Sequence, residues 1–386
     1  MATESILPQS PAKAAPTSGE GLKVAIRFRP LSESERQAGA YEAFRRDESC
    51  PKRVVVEDSR SGEDFVFHHV FPPTTSNEEV FNSLVDLEPL ISGIHTTIFA
   101  YGVTGSGKTH TMLGDGRGDE GIVQRTVRAL FEELARHSDR RAQGGSTLGG
   151  GAGARAPPPW GSALSFSVRV GVMQVYDLGV DDLLAGRPVA IKSCEAVGLL
   201  QPAVAGPEDT MALIARGVAA RKTAATNKND TSSRSHLLVR LTLEASPSPD
   251  AAGGVAAGTL SRLTLVDLAG SESAEASAGM PNQQQRQQEG AQINGSLLQL
   301  QRVFTALAER SGYRAFRGNR LTELLNESLV GAGARMTMIC AASPARLARD
   351  RDPTLSTLRF ARTGTRITIR ARRNVVINAE VGRGGC

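Results

Sequence analysis

The run GVTGSGKT at residues 102–109 constrains this chain more than any other feature. It satisfies the phosphate-binding pattern G-x-x-x-x-G-K-[ST]. It follows the apolar stretch TTIFAY at 96–101 and opens a helix near Lys108, which is the strand–loop–helix setting the pattern requires. In such a loop Gly102, Val103, Thr104, Gly105, Ser106 and Gly107 turn successive backbone N–H groups inward onto phosphate oxygens, aided by the helix N-terminus. Lys108 supplies charge for the β- and γ-phosphates, and the Thr109 hydroxyl supplies a ligand for Mg2+. A glycine-rich turn alone would satisfy the letters without the flanking strand.

Two further runs fit beside it. DLAG at 267–270 closes the apolar stretch LTLVDL at 263–268. A carboxylate at the end of an apolar strand is costly to bury without a partner, and a water-bridged Mg2+ would give Asp267 one. Gly270 can bring a backbone N–H to a γ-phosphate. The second run, NDTSSRSH at 229–236, puts hydroxyls and one guanidinium into a loop before a strand. Ser233 can approach Mg2+, and Arg234 can pair with Glu272. Within it, NKND at 227–230 spells the guanine-reading N-K-x-D, but that motif follows D-x-x-G in guanine-binding folds and here precedes it. The guanine reading is rejected on order.

Strand-like and helix-like patterns alternate along the chain, which implies an α/β layered domain. Strands are expected at 22–28, 53–57, 64–70, 96–101, 165–176, 237–244, 260–266 and 336–340. Helices are expected at 77–91, 122–136, 208–220, 289–310, 320–329 and 354–361. Residues 1–21 read as a disordered leader, and 141–161 as a Gly/Pro/Ala-rich surface insertion within the domain 22–365. A second insertion spans 246–258. No internal repeat or sustained heptad occurs.

The 40% apolar share suffices for a sizeable core. No apolar run is long enough to span a membrane, and the first ten residues lack a secretory layout. Four scattered cysteines, Cys50, Cys194, Cys340 and Cys386, form no C-x-x-C pair and fit a reduced cytosol. Charge is unevenly spread. Residues 301–386 carry 16 Arg, no Lys and six acids, a net +10, which leaves −5 on the first 300. A basic C-terminal segment suits an acidic partner surface. Nucleic acid is not expected as that partner, because aromatics make up only 4% and no helicase motif follows Asp267.

Taken jointly, these runs resemble the kinesin motor domain. The matching stretches are RFRP at 27–30, IFAYGVTGSGKTHTM at 98–112, NDTSSRSH at 229–236, LVDLAGSE at 265–272, EGAQINGSL at 289–297, RLTELL at 320–325 and TLSTLRFA at 354–361. They occur in the family's order across about residues 23–378. The resemblance implies a phosphate-loop NTPase fold, a central mostly parallel or mixed sheet with helices on both faces. It implies ATP and Mg2+, with Arg27, Arg29, Pro30 and His110 around the adenine. Thr109, Ser233 and, through water, Asp267 would hold Mg2+. Lys108, Ser233, Arg234, Gly270 and Glu272 would serve hydrolysis, with 229–236 and 267–272 as the two switches. The implied partner is the acidic microtubule, met by 289–330 through Arg302, Arg310, Arg314, Arg317 and Arg320, and the implied location is the cytoskeleton of the cytoplasm. Residues 366–378 resemble a neck linker and 379–386 a tail. A motor placed first with this linker behind it resembles the plus-end class. With no heptads after Asn378, the chain as given is expected to be a monomer, dimeric only if a longer chain supplies a stalk.

The chain departs from the family pattern at four places. Val103 replaces a usual Gln and Gly295 a usual Lys, residues 174–178 read QVYDL for E-I-Y-N-E, and Phe316 stands near a usual Tyr. Gly295 removes a charge and loosens a helix. It keeps an alternative open, a kinesin-like microtubule-binding or scaffold protein with weak or no motility.

Overall fold

The structure, a computed structural model, describes residues 20–57, 63–142, 164–176, 179–226, 235–247, 257–271, 283–311, 316, 318–329, 334–345, 353–369, 371 and 373–377. Its frame is one sheet of eleven strands: β1 (Lys23–Phe28), β2 (His69–Phe71), β3 (His95–Tyr101), β4 (Leu164–Val175), β5 (Val180–Asp182), β6 (Arg187–Pro188), β7 (Ala203–Val204), β8 (His236–Pro247), β9 (Ala257–Asp267), β10 (Ala334–Ala342) and β11 (Val375–Ile377). The order is β6-β5-β4-β8-β9-β3-β10-β1-β2, with β7 on β4 and β11 on β9. The sheet is mixed. The ladders from β9 through β3, β10 and β1 to β2 are parallel, whereas β4, β8 and β9 pair antiparallel.

The described helices are α1 (Glu33–Gln37), α2 (Asn77–Leu84), α3 (Glu88–Ile91), α4 (Lys108–Leu113), α5 (Ile122–Ala142), α6 (Pro207–Thr226), α7 (Gln283–Ala308), α8 (Arg320–Leu329) and α9 (Pro353–Gly364), and short strands outside the main sheet form three small ones. The period-two alternation of the strands assigns the two faces. Val24, Ile26, Phe99, Tyr101, Met338 and Val266 pack with α7, α8 and α9. Ala25, Ile98, Ala100, Ile339 and Leu265 pack with α2 to α6. β3 is buried along its whole length, as a central strand covered on both faces must be. None of the described helices is long and apolar enough to cross a membrane.

Several elements differ from the sequence expectation. The expected 77–91 helix is two: Val85 is extended, with φ −92° and ψ 119°, and Pro89 sits in the first turn of α3. A proline there has no N–H to give the residue 85 carbonyl, so the helix breaks and restarts where that N–H is not needed. The expected 53–57 strand lies outside the main sheet, in a small one of Phe44–Arg46, Arg53–Val56 and Phe65–Val66, and only the end of the 64–70 stretch joins the main sheet, as part of His69–Phe71. Helices α5, α6 and α7 run beyond their apolar stretches. Residues 246–247 and 257–258 continue β8 and β9 rather than belonging to an insertion.

Beyond α9 the chain pairs again with strands of the fold. β11 runs antiparallel to the start of β9, and Thr368–Ile369 pairs with Glu20–Gly21. Asn374 clamps the approach, its backbone N–H and its Nδ2 both donating to the Gly93 carbonyl at 2.8 and 3.0 Å. Residues 1–19, 143–161 and 379–386 of the expected leader, insertion and tail lie outside the described residues.

Candidate functional site

The phosphate loop leaves the C-terminal end of β3, the edge of a parallel sheet where ligands of such folds bind. Its glycines are required sterically. Gly102 has φ +146°, and a Cβ there would lie 2.2 Å from the Ala341 carbonyl oxygen of β10. Gly107, at φ +102°, precedes α4 with no side chain capping the first N–H groups, so these stay available to a ligand. Lys108 is buried, and its Nζ donates to the carbonyls of Gly102 and Val103 at 2.8 Å each. The ammonium is therefore held over the loop, and Val103 contributes only its backbone to that grip.

Register explains why Asp267 meets this loop. β9 runs parallel to β3 with Asp267 opposite Ala100, two residues before Gly102. Asp267 is buried, its Oδ2 accepts from Thr109 Oγ1 at 2.8 Å, and Arg221 Nη1 lies 3.8 Å away. Burial raises its carboxyl above the usual range, while Arg221, Thr109 and Lys108 pull it back. Its Oδ1 is buried without a hydrogen-bond partner among the described residues. An orphaned carboxylate oxygen beside a threonine hydroxyl and a lysine suits a hydrated divalent cation bridging to phosphate. Beyond Asp267 the 268–271 loop folds back, and Ser271 N–H donates to the Gly102 carbonyl at 3.1 Å. Gly270 is thus buried against the phosphate loop.

Three residues here carry roles the sequence reading did not assign. Arg221, from α6, donates to the Ser235 carbonyl at 2.7 Å, joining the start of β8 to Asp267. Gln174 donates to Ser235 Oγ at 2.6 Å, so the amide that replaces a usual acid anchors the same point. His236 is fully buried. Its Nδ1 accepts from Ala269 N–H at 3.0 Å, which leaves the proton on Nε2 to reach Ser296 Oγ of α7 at 2.9 Å. Burial and the charges of Arg221 and Lys108 push this imidazole down to about 3, so it is neutral. His236 ends the NDTSSRSH run and Gln174 opens QVYDL, but nothing local assigns these roles, because each residue acts on a partner distant in sequence.

At the other end of the loop, Arg29, Pro30 and His110 line a cavity of about 250 Å3 together with Ser106 and Gly107. Arg29 donates to the Gly105 carbonyl at 2.8 Å and makes a two-point ion pair with Glu35 at 2.6 and 2.7 Å. That pair and the Ser32 capping box hold the Glu35 carboxyl down to about 2. Arg27 lines the same cavity, but its guanidinium is engaged internally. Its guanidinium donates to Asn77 Oδ1, to Thr111 Oγ1 at 2.9 Å and to the Thr75 carbonyl at 3.1 Å.

Arg302 and Arg310 are exposed on and just after α7, and Arg302 lies one turn from the exposed Leu298. Arg320 opens α8 and is tied to Glu323 at 2.8 Å. Ser233, Arg234, Glu272, Arg314 and Arg317 lie outside the described residues. Phe316 is buried, and Gly295 sits within α7.

Comparison with known proteins identifies the family and the fold. The family description "Kinesin motor domain" matches residues 27–367. The kinesin-like protein KIN-7G of Oryza sativa subsp. japonica is 35% identical over 382 residues, covering 96% of this chain and 38% of its own length. The chain therefore spans well under half of such relatives. A structure of a fast kinesin superposes with a TM-score of 0.74 at 29% identity, over 94% of this chain and 96% of that one. The KIF14 dimer with AMP-PNP in complex with a microtubule superposes at 0.76 and 28% identity, over 94% and 99%. A phosphate loop backed by Asp267 and flanked by a returning 268–271 loop, on a mixed sheet shared with these proteins, places the chain in the kinesin motor domain family.

Proposed function

We propose that this chain is an ATP-hydrolysing microtubule motor unit. The observation that carries the reading is the bonded line from the phosphate loop to α7. Ser271 rests on Gly102, Ala269 in the same loop donates to His236, and His236 donates to Ser296 of α7, whose outer face exposes Arg302. Whatever draws the 268–271 loop toward a γ-phosphate pulls on the helix expected to meet the filament.

Lys108 and the backbone N–H groups of the loop bind the phosphates, and Thr109, Asp267 and Ser233 would hold Mg2+. The bound Mg2+ would neutralise phosphate charge and polarise the γ-phosphate. Gly270 offers a backbone N–H to the γ-phosphate. Arg234 and Glu272 would close the site and exclude bulk water, with Glu272 taking the proton. Residues 366–378 would act as the neck linker, and the pairing of Val375–Ile377 with β9, shortly after α9, supports the plus-end reading. Association with the acidic filament through Arg302, Arg310, Arg314, Arg317 and Arg320 should weaken as salt rises.

Steady-state ATP hydrolysis with and without microtubules tests the reading. Stimulation by microtubules, abolished in Lys108→Ala, is expected. Cosedimentation without stimulation would instead fit the scaffold alternative.

A further inference from the structure

We propose that Asp119 selects the base, making this site prefer a 6-aminopurine triphosphate over its 6-oxo counterpart. The inference rests on the nucleotide reading above and adds a residue that sets specificity.

Asp119 lines the same cavity as Arg29, Pro30 and His110, and that cavity opens from Ser106 and Gly107 of the phosphate loop. A base attached to phosphates in the loop has this cavity as its adjoining space. The turn that carries Asp119 is fixed by its own backbone. Asp115 Oδ1 accepts from the N–H groups of Arg117 and Asp119 at 2.7 and 3.1 Å, and Asp115 N–H donates to the Asp119 carbonyl at 3.2 Å. The side chain is oriented as well. Asn77 is fully buried, and its Oδ1 accepts from Arg27, so its Nδ2 must face the other way. That Nδ2 donates to Asp119 Oδ2 at 2.9 Å and to the His110 carbonyl at 3.2 Å. His110 Nε2 also lies 3.4 Å from Oδ2. One carboxylate oxygen is thereby occupied. The other, Oδ1, accepts no hydrogen bond from any described residue.

A carboxylate oxygen accepts and cannot donate. The exocyclic amine of adenine brings it an N–H, whereas the 6-oxo group of inosine or guanine brings a second acceptor. A carboxylate that reads guanine uses both oxygens, on the ring N–H and the 2-amino group, and here Oδ2 is already taken. Neither neighbouring cation is placed to offset an oxo group. The guanidinium of Arg29 is committed to Glu35, the Pro30 carbonyl and the Gly105 carbonyl, and that of Arg27 to Asn77, Thr111 and the Thr75 carbonyl. The cavity is thus complementary to a donor at position 6. Asp119 is about one-third exposed, so the preference should be moderate rather than absolute.

The test is displacement of a fluorescent adenosine diphosphate from the intact chain by ATP, by ITP and by purine riboside triphosphate, which has no group at position 6. ITP should bind about tenfold more weakly than ATP, with purine riboside triphosphate between them. In Asp119→Asn, whose amide can donate or accept, and in Asp119→Ala, ITP should come within about threefold of ATP. The ratio is taken within one sample, so a variant that folds less completely still reports it. ITP equal to ATP in the unaltered chain, or an unchanged ratio in both variants, overturns the assignment while leaving the nucleotide site standing. Failure of every triphosphate to displace overturns the site reading with it.

Discussion

Acidification should weaken this domain through one identifiable side chain, His236. Its ring is fully buried between Ala269 N–H and Ser296 Oγ, and the acceptor role of Nδ1 leaves no place for a second proton. Protonation would turn an N–H acceptor into a donor facing another N–H, beside the charges of Arg221 and Lys108. The unfolded chain takes up this proton near its ordinary value of 6.5, the folded chain not until about 3. Between those values the unfolded state binds more protons, so stability is complete above about 6.5 and drains away as pH falls toward 3. At about pH 5 the unfolded state has gained about 2 kcal/mol from this group alone. For a chain of this length that corresponds to roughly 3 °C in Tm. His68 and His69 are also lowered by burial and act in the same direction, so the comparison must be with a variant. Calorimetric melting from about pH 7.5 to about pH 5 on the unaltered chain and on His236→Gln isolates the term. The variant starts lower, having lost a buried hydrogen bond, but its Tm should fall by about 3 °C less over that range. Parallel pH profiles would refute the assignment of a neutral, structurally locked imidazole.

Other perturbations follow from the same geometry. Gly102→Ala places a Cβ 2.2 Å from the Ala341 carbonyl oxygen, and should cost about 3 kcal/mol in denaturant melts and abolish nucleotide binding. Arg221→Met leaves the Asp267 carboxylate buried without its cation, a loss of about 3 kcal/mol that adding Asp267→Asn should largely recover in a double-mutant cycle. Asn374→Ala removes one of the two hydrogen bonds on the Gly93 carbonyl, and amide exchange at Val375–Ile377 should quicken about fivefold while the global melt stays put.

What could be read in the sequence is what lies close together in it. The phosphate loop, Asp267 at a strand end and the apolar faces of α5 and α8 are local patterns, and each reappears as an element of the fold. What escaped depends on closure of the chain. Arg221 reaches Asp267 only because α6 returns the chain to the open end of β9, and Asn77 joins Arg27 to Asp119 across two loops. Glu35 completes the Ser32 capping box, and the same carboxylate also steadies Arg29 beside the phosphate loop, a second role that no local pattern announces. Gln174 shows the opposite limit. As a departure from a family acid it reads as a loss, whereas its amide holds Ser235 just before β8. Helix ends were misjudged where polar residues carry the helix past its apolar stretch, as in α5 and α7. The break at 85–87 was legible from Pro89, but the continuous apolar periodicity masked it.

The site's two outputs meet in one packed layer. β9 carries Asp267 at one end and pairs with β11 at the other, so on the proposed reading the phosphate end and the neck end belong to a single strand. A buried strand does not slide against both of its neighbours, so β9 serves as a fixed reference. Movement must then come from the helices lying on it. α7 touches the site through Ser296, donates from Gln301 to Tyr101 OH at 2.8 Å, and packs Phe304 edge-on to Phe99, with centroids 6.0 Å apart. Phe304 also lies 5.0 Å from Phe360 of α9, whose ring in turn sits 4.4 Å from that of Tyr101 at a 45° tilt. Close-packed rings repack in discrete steps rather than deforming. On the proposed reading, a shift of α7 set by the 268–271 loop cannot leave Phe360 in place, and α9 leads directly into the segment that pairs with Glu20–Gly21 and β9. The nucleotide and the neck would thus be coupled through Phe304 and Phe360, which predicts that Phe360→Ala uncouples them: nucleotide binding persists, while amide exchange at Val375–Ile377 no longer responds to it.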